Sequence, residues 1–196
     1  GGVPVKVDEW EFDAVYSGSQ KCLSCPPGLS PVTFSKSALD FIKSRKSQVQ
    51  SWFMDINLVT SYWGSSSKRS YHHTAPINAL YGLHEALILL QEEGIENAWT
   101  RHQKNSTIFI EGLKNLDLEV FVKEGHRLPE LATIRIPDGV DDNEVRNRLL
   151  NEFNIEIGAG LGVLAGKIWR IGLMGYTSNV KNIDTCLSAL KQILEK

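Results

Sequence analysis

The sequence predicts an α/β chain in two parts: over residues 1–70, strands and tight loops followed by a short helix and an aromatic-rich segment, then over residues 71–196 a smaller α+β domain whose antiparallel sheet is covered by helices. Three observations predict this. Short apolar runs punctuated by Gly18 and Pro26-Pro27-Gly28 fill the first 34 residues. From Pro76 onward, apolar residues recur at three- and four-residue spacing. The remainder reads β-β-α-β-β-α after a helix pair, an order that suits a small sheet with helices on one face.

The elements follow in order. Val3 to Val7, Phe12 to Tyr16 and Val32 to Phe34 read as strands. Ser35 can cap a short helix over Lys36 to Lys43, and beyond it lies a polar stretch, 44–51, and an aromatic-rich one, Trp52 to Trp63. Pro76 suits the first turn of a helix whose inner stripe is Ile77, Leu80, Leu83, Leu87 and Leu90, and Gly94 suits its stop. A second helix carries Ile95, Ala98, Trp99, His102, Phe109, Leu113 and Leu116. Strands are predicted at Leu118 to Val122 and Ala132 to Ile136. Asp141 opens a helix with Val145, Leu149 and Phe153 inward, Ile155 to Ile157 and Ile168 to Met174 read as strands, and Val180 to Leu194 closes the chain with Ile183, Leu187, Leu190 and Leu194 inward. The boundary between the two parts falls between about Ser65 and Tyr71.

Composition narrows the function. The 196 residues are 42% hydrophobic and 22% charged, with a formal charge of −2 and both signs interspersed. No basic stripe offers itself to phosphate backbones and no polybasic anchor to lipid, so nucleic acid and membrane are not expected partners. No apolar run approaches the roughly 20 residues of a membrane helix, and a soluble, intracellular protein is expected. Three cysteines, an odd number, argue for a reducing compartment rather than a disulfide framework. Gly1-Gly2-Val3-Pro4-Val5 reads as a turn leading into a strand, so the sequence is expected to be a piece of a longer protein.

Four stretches could carry chemistry. In Tyr16-Ser17-Gly18-Ser19-Gln20-Lys21-Cys22, small side chains allow close approach to the backbone, and hydroxyls and an amide stand beside one amine. Lys21 is either a solvated loop lysine or, if desolvated or beside a cation, a nucleophile toward carbonyls. In Ile168-Trp169-Arg170-Ile171-Gly172-Leu173-Met174, alternation puts Arg170 with Ile168, Gly172 and Met174 on one face. A guanidinium there needs an anion, either a distant Asp or Glu or a ligand carboxylate held two-pronged, and Gly158, Gly160 and Gly162 either admit that ligand or shape a turn. Thr74, in Tyr71-His72-His73-Thr74, can cap the following helix or face an anion at its N-terminus. His72 and His73 are adjacent rather than at i, i+4, and Cys22-Leu23-Ser24-Cys25 has no second CxxC, so no metal site is expected.

Taken together, YSGSQK with Pro26-Pro27-Gly28, Asp55-Ile56 with Trp63-Gly64, Tyr71-His72-His73-Thr74, Ile155-Glu156-Ile157, Gly160-Leu161-Gly162 and Arg170-Ile171-Gly172-Leu173 resemble the alanine:glyoxylate and serine:pyruvate aminotransferases. These are class V, fold-type I enzymes that use pyridoxal 5'-phosphate. The resemblance implies that residues 1–70 end a large cofactor-binding domain and that residues 71–196 are a linking helix and the small C-terminal domain. It implies that Lys21 forms a Schiff base with pyridoxal phosphate and moves the proton of the substrate Cα. It implies further that Gln20 touches the phosphate, that Tyr71 and Thr74 reach the phosphate of a neighbouring subunit in a homodimer, and that Arg170 grips the substrate α-carboxylate. The implied reaction moves the amino group of alanine or serine to a 2-oxo acid, glyoxylate or pyruvate, in a peroxisome or mitochondrion. Two alternatives stand beside it: a 3-hydroxykynurenine transaminase-like activity, and a non-catalytic dimerising fragment of such an enzyme. The family's aspartate for the pyridine nitrogen belongs upstream of Gly1, so neither Asp8 nor Asp13 takes that role, and this piece alone is expected to be inactive.

Overall fold

The computed structural model describes residues 1–63 and 70–195. Most of the expected domain boundary, Gly64 and Lys196 lie outside the described residues. The chain divides into two compact units: a sheet unit of Gly1–Pro4, Gln20–Ser24 and the residues from Ala86 on, and a hairpin unit of Val5–Ser19 and Cys25–Glu85.

In the hairpin unit, strands β1 (Ala14–Tyr16) and β2 (Val32–Phe34) pair antiparallel, Val15 opposite Thr33. The loop between them is pinned from inside, since Ser17 N–H donates to Pro31 O at 2.9 Å and the buried Ser19 donates through Oγ to Pro26 O at 3.0 Å. Helix α1 (Lys36–Lys43) starts where expected because Ser35 Oγ accepts from Ala38 N–H at 3.0 Å. Asp55 opens α2 (Ile56–Trp63), its carboxylate accepting from Asn57 N–H at 3.0 Å. The strand expected at Val3 to Val7 is absent. Pro4 removes a donor from that run, and the chain turns helically instead, with Trp10 N–H donating to Lys6 O and Phe12 N–H to Val7 O.

Helix α3 (Ile77–Glu93) passes from the hairpin unit into the sheet unit. It has the predicted type and length, yet the described residues bury none of its side chains, and Ile77, Leu80 and Leu87 are 52%, 41% and 48% exposed. Gly94, at φ +84, turns the chain into α4 (Ile95–Asn115), a conformation that glycine adopts without steric cost.

The sheet unit holds the core. Strand β3 (Leu131–Arg135), β4 (Gly158–Ala159) and β5 (Ile168–Gly172) form an antiparallel sheet in the order β3-β5-β4, with β5 central. Ala132 and Ile134 of β3 and Trp169 and Ile171 of β5 bury one face against α4, α5 (Asp142–Phe153) and α6 (Val180–Leu194), where Phe109, Leu113, Val145, Leu149, Ile183 and Leu190 meet them. Asp141 and Asn179 cap α5 and α6 through their side-chain oxygens. Alternation leaves Thr133 and Arg170, directly opposite each other in the register, on the other face.

Two of the four strands expected in this region are reduced. Leu118 to Val122 makes only the bridge Val120 to Ile134, because Asp117 at φ +56 and the turn at Gly125 cut the extended run short. Ile155 to Ile157 is apolar for burial and not for pairing: Asn154 adopts φ +56 at the end of α5, Ile157 drops into the core, and pairing with β5 starts only at Gly158. Ile95, expected on the inner stripe of α4, is 48% exposed, one turn outside the buried Ala98 and His102. Among the described residues no helix is long and apolar enough to cross a membrane.

Candidate active site

Lys21 sits on a short excursion, Gln20–Ser24, whose neck is closed by Cys25 N–H donating to Ser19 O at 3.1 Å. Within it, Ser24 N–H donates to Lys21 O at 2.9 Å, which bends the chain back on itself. The Lys21 amine is exposed and has no hydrogen bond or ion pair among the described residues. Gln20 is likewise exposed. The neighbouring Cys22 thiol is pushed above its ordinary value, chiefly by burial.

Arg170 occupies the central strand between Thr133 and Gly158. Its Nε donates to Ala159 O at 2.7 Å, which lays the guanidinium along β4. Gly158 makes this possible, since a Cβ there would lie 3.3 Å from Arg170 Nη2. Gly160 is tighter still, with Leu164 O at 2.0 Å from where its Cβ would be. Gly158 therefore leaves room for the Arg170 guanidinium, and Gly160 shapes the turn beside it. No Asp or Glu among the described residues pairs with Arg170, although five other arginine or lysine side chains of the sheet unit have a carboxylate partner. Of the two partners that burial demanded, the intramolecular carboxylate is not there.

Tyr71 and Thr74 are brought together by a hydroxyl–hydroxyl hydrogen bond of 2.7 Å, and both are exposed. Thr74 does not cap α3, which begins at Ile77. The segment is held by its histidines. His72 stacks on Trp52 at 4.1 Å and donates from Nε2 to Trp52 O at 3.1 Å, so its Nδ1 accepts from His73 Nδ1–H at 2.7 Å. The pair thus serves the backbone of this segment through ring contacts. Gln20, Lys21 and Arg170 belong to the sheet unit, and Tyr71 and Thr74 to the hairpin unit.

One group of residues was not legible in the sequence. His102, read as part of an apolar stripe, donates from Nδ1 to Ala98 O and accepts at Nε2 from Gly175 N–H at 2.9 Å. Arg101 donates to Gly175 O and Ser178 O, and Asn105 donates to Ser178 O at 2.7 Å. These three α4 residues grip the 175–178 turn that follows β5. The signal was present, since polar residues at i, i+1 and i+4 interrupt an apolar stripe, but their partner lies more than 70 residues away.

The sequence profile of the family Aminotransferase class-V matches residues 1–184. The chain belongs to the class-V aminotransferases. Among its relatives, alanine–glyoxylate aminotransferase of Callithrix jacchus is 41% identical over 100% of this chain and 48% of its own length. The (S)-ureidoglycine–glyoxylate transaminase of Bacillus subtilis is 37% identical over 99% of this chain and 50% of its own. The crystal structure of an alanine–glyoxylate aminotransferase from Nostoc sp. superposes with a TM-score of 0.96 at 51% identity, covering 99% of this chain and 51% of that one. This class-V chain therefore has the fold of the corresponding portion of a fold-type I aminotransferase, and it spans about half the length of the curated relatives it matches.

Proposed function

We propose that this class-V chain carries the lysine and the carboxylate clamp of a transaminase that moves the amino group of alanine or serine to a 2-oxo acid, glyoxylate foremost. The observation that carries the reading is Arg170: a guanidinium on the central strand, oriented by Ala159 O and without a carboxylate partner among the described residues. A planar fork of that kind is matched by an α-carboxylate, which every amino acid and 2-oxo acid presents. Glyoxylate is favoured as acceptor because the relatives cited above share it in their names.

The residues present also fit the family's cofactor. Lys21 offers an amine that no acidic group among the described residues engages, and Tyr71 and Thr74 offer two linked hydroxyls suited to a phosphate. Pyridoxal 5'-phosphate, when bound, supplies an aldehyde that condenses with amines and an electron-poor ring that draws charge from the substrate Cα. In this reading Lys21 would hold the cofactor through Nζ, and the same amine would carry the proton removed from the substrate Cα. Gln20 would donate to the phosphate. Tyr71 and Thr74 do the same in a neighbouring copy, so the working enzyme is a homodimer, and the open apolar stripe of α3 accords with further covering surface in that assembly. Residues 1–70 then end the cofactor domain, and residues 71–196 form the linking helix and the small domain.

The test uses the full-length protein with pyridoxal phosphate. Lys21→Ala is expected to abolish both the visible absorbance band and turnover of alanine with glyoxylate. Persistence of both in that variant sinks the assignment. Serine, ureidoglycine and 3-hydroxykynurenine, assayed in parallel as donors, rank the amino donor.

A further inference from the structure

The Lys21 excursion is tied to the strand that bears Arg170 by one backbone turn. Tyr176, six residues after Arg170, donates its N–H to the Oγ of Ser24, three residues after Lys21, at 2.8 Å. Gly175 fills the junction completely. It sits at φ +56, and a Cβ on it would lie 1.9 Å from Ser24 Oγ and 2.6 Å from Cys22 O. The turn itself cannot drift, because each polar backbone group of Gly175 is engaged. Its N–H donates to His102 Nε2 at 2.9 Å, and its carbonyl accepts from Arg101 Nη1 at 2.8 Å. Arg101 and Asn105 also hold the Ser178 carbonyl, at 2.9 and 2.7 Å, and Glu93 fixes the Arg101 guanidinium from behind. On the strand side, Leu173 N–H donates to Glu130 O at 2.8 Å, so the sheet geometry continues up to the turn.

Chemistry that needs an amine over the Cα of a bound amino acid needs that amine at a fixed distance from the group holding the carboxylate. A misplacement of about 1 Å can cost roughly 100-fold in rate. Ser24 and Gly175 are where the two supports meet. We propose that Ser24 and Gly175 are positioning residues that lock the Lys21 loop to the β5–α6 turn, setting the Lys21 amine in register with the Arg170 guanidinium. The proposal rests on the reading of Lys21 and Arg170 given above. Neither Ser24 nor Gly175 touches substrate in this account; each acts through Lys21.

The hydroxyl of Ser24 is the part that can be removed cleanly. In the full-length protein, Ser24→Ala deletes the acceptor for Tyr176 N–H without adding bulk at a residue of positive φ, +57. In cofactor-free protein, amide exchange at Tyr176 is expected to rise about 5- to 10-fold in Ser24→Ala, the loss of one hydrogen bond. With pyridoxal phosphate bound, kcat is expected to fall roughly 10-fold or more while KM for alanine stays within about 3-fold. A merely structural serine would lower thermal stability in Ser24→Ala and leave kcat of the folded fraction unchanged, which overturns the proposal. Unchanged exchange at Tyr176 overturns it too. Lys21→Ala run alongside separates the failures: retention of both the visible band and turnover there overturns the Schiff-base lysine itself, whereas loss of turnover there together with a fully active Ser24→Ala overturns the lock alone.

Discussion

Glu93 and Arg101, eight residues apart at the end of α3 and in the second turn of α4, form a two-pronged ion pair whose arginine also holds the turn after β5. Arg101 Nη2 donates to Glu93 Oε2 at 2.9 Å and Nε donates to Oε1, while Nη1 reaches the carbonyls of Gly175 and Ser178. The Glu93 carboxylate is held below its ordinary value, first by that hydrogen bond. A carboxylate lowered in the folded state adds stability above its unfolded pKa and gives it up as pH falls through the folded value. Glu93→Gln is therefore expected to cost about 1–2 kcal/mol at pH 7. In urea titrations the gap to the parent should close as pH drops below about 4.5, the ordinary value, and a gap independent of pH would count against the ion pair.

Arg170→Lys keeps the charge and loses the fork. An ammonium cannot donate to Ala159 O and grip both oxygens of a carboxylate in one plane. In the full-length enzyme, KM for alanine is expected to rise about 10- to 100-fold, the value of one to two charge-assisted hydrogen bonds, with cofactor absorbance intact. Equal KM in variant and parent would remove Arg170 from the substrate site.

Tyr71→Phe removes a hydroxyl whose one hydrogen bond among the described residues is to Thr74 Oγ1, at 2.7 Å, on an exposed segment. Fold stability should therefore change little, by under about 0.5 kcal/mol. If that hydroxyl donates to a phosphate in the dimer, the dissociation constant for pyridoxal phosphate should rise about 5- to 10-fold, measured by equilibrium dialysis. A changed melting temperature with unchanged cofactor affinity would assign the hydroxyl to folding.

Where local chemistry decides an element, the sequence was sufficient. Ser35 and Asp141 cap helices through their own side chains, Gly94 supplies the positive φ between α3 and α4, and β5 alternates as the pleat requires. Apart from the Val3 to Val7 run, which Pro4 and a local turn interrupt, failures came where a distant partner decides. Ile155 to Ile157 has the residues of a strand, yet pairing is available only from Gly158. For the candidate site, Lys21 and Arg170 could be named, but bare residue types left their partners open. Only the three-dimensional arrangement shows that Arg170 bonds to a carbonyl and meets no acid among the described residues. The Ser24 to Tyr176 hydrogen bond spans 152 residues and left no periodic mark on the sequence.

Gly160→Ala tests the turn beside Arg170. Its Cβ would meet a backbone carbonyl, Leu164 O at 2.0 Å, and Ile168 Cγ1 at 3.1 Å, so no rotamer change can relieve it. The loop must move and β4 with it, at a cost of about 1–3 kcal/mol. Because Ala159 O orients Arg170, the same variant should raise KM for alanine even at temperatures where it is fully folded. A thermal denaturation curve superimposable on the parent's would show that the loop has slack.

Cys186 provides a second, opposite pH dependence. It lies in the core between Ile183 and Ala189 on α6, and burial pushes its thiol up from 9.0 to about 11. A raised folded value means that above pH 9 the unfolded chain releases a proton that the folded chain keeps, so stability is full below pH 9 and falls as pH rises toward about 11. Two units correspond to at most about 2–3 kcal/mol. Cys186→Ala removes this slope along with the thiol. It is expected to cost about 1 kcal/mol at pH 7 from the lost packing and to become relatively more stable against the parent between pH 9 and 11, as its own curve lacks the thiol's contribution. Lysines and tyrosines common to both proteins titrate alike and cancel in the difference. Parallel stability curves across that window would mean that the thiol ionises in the folded chain.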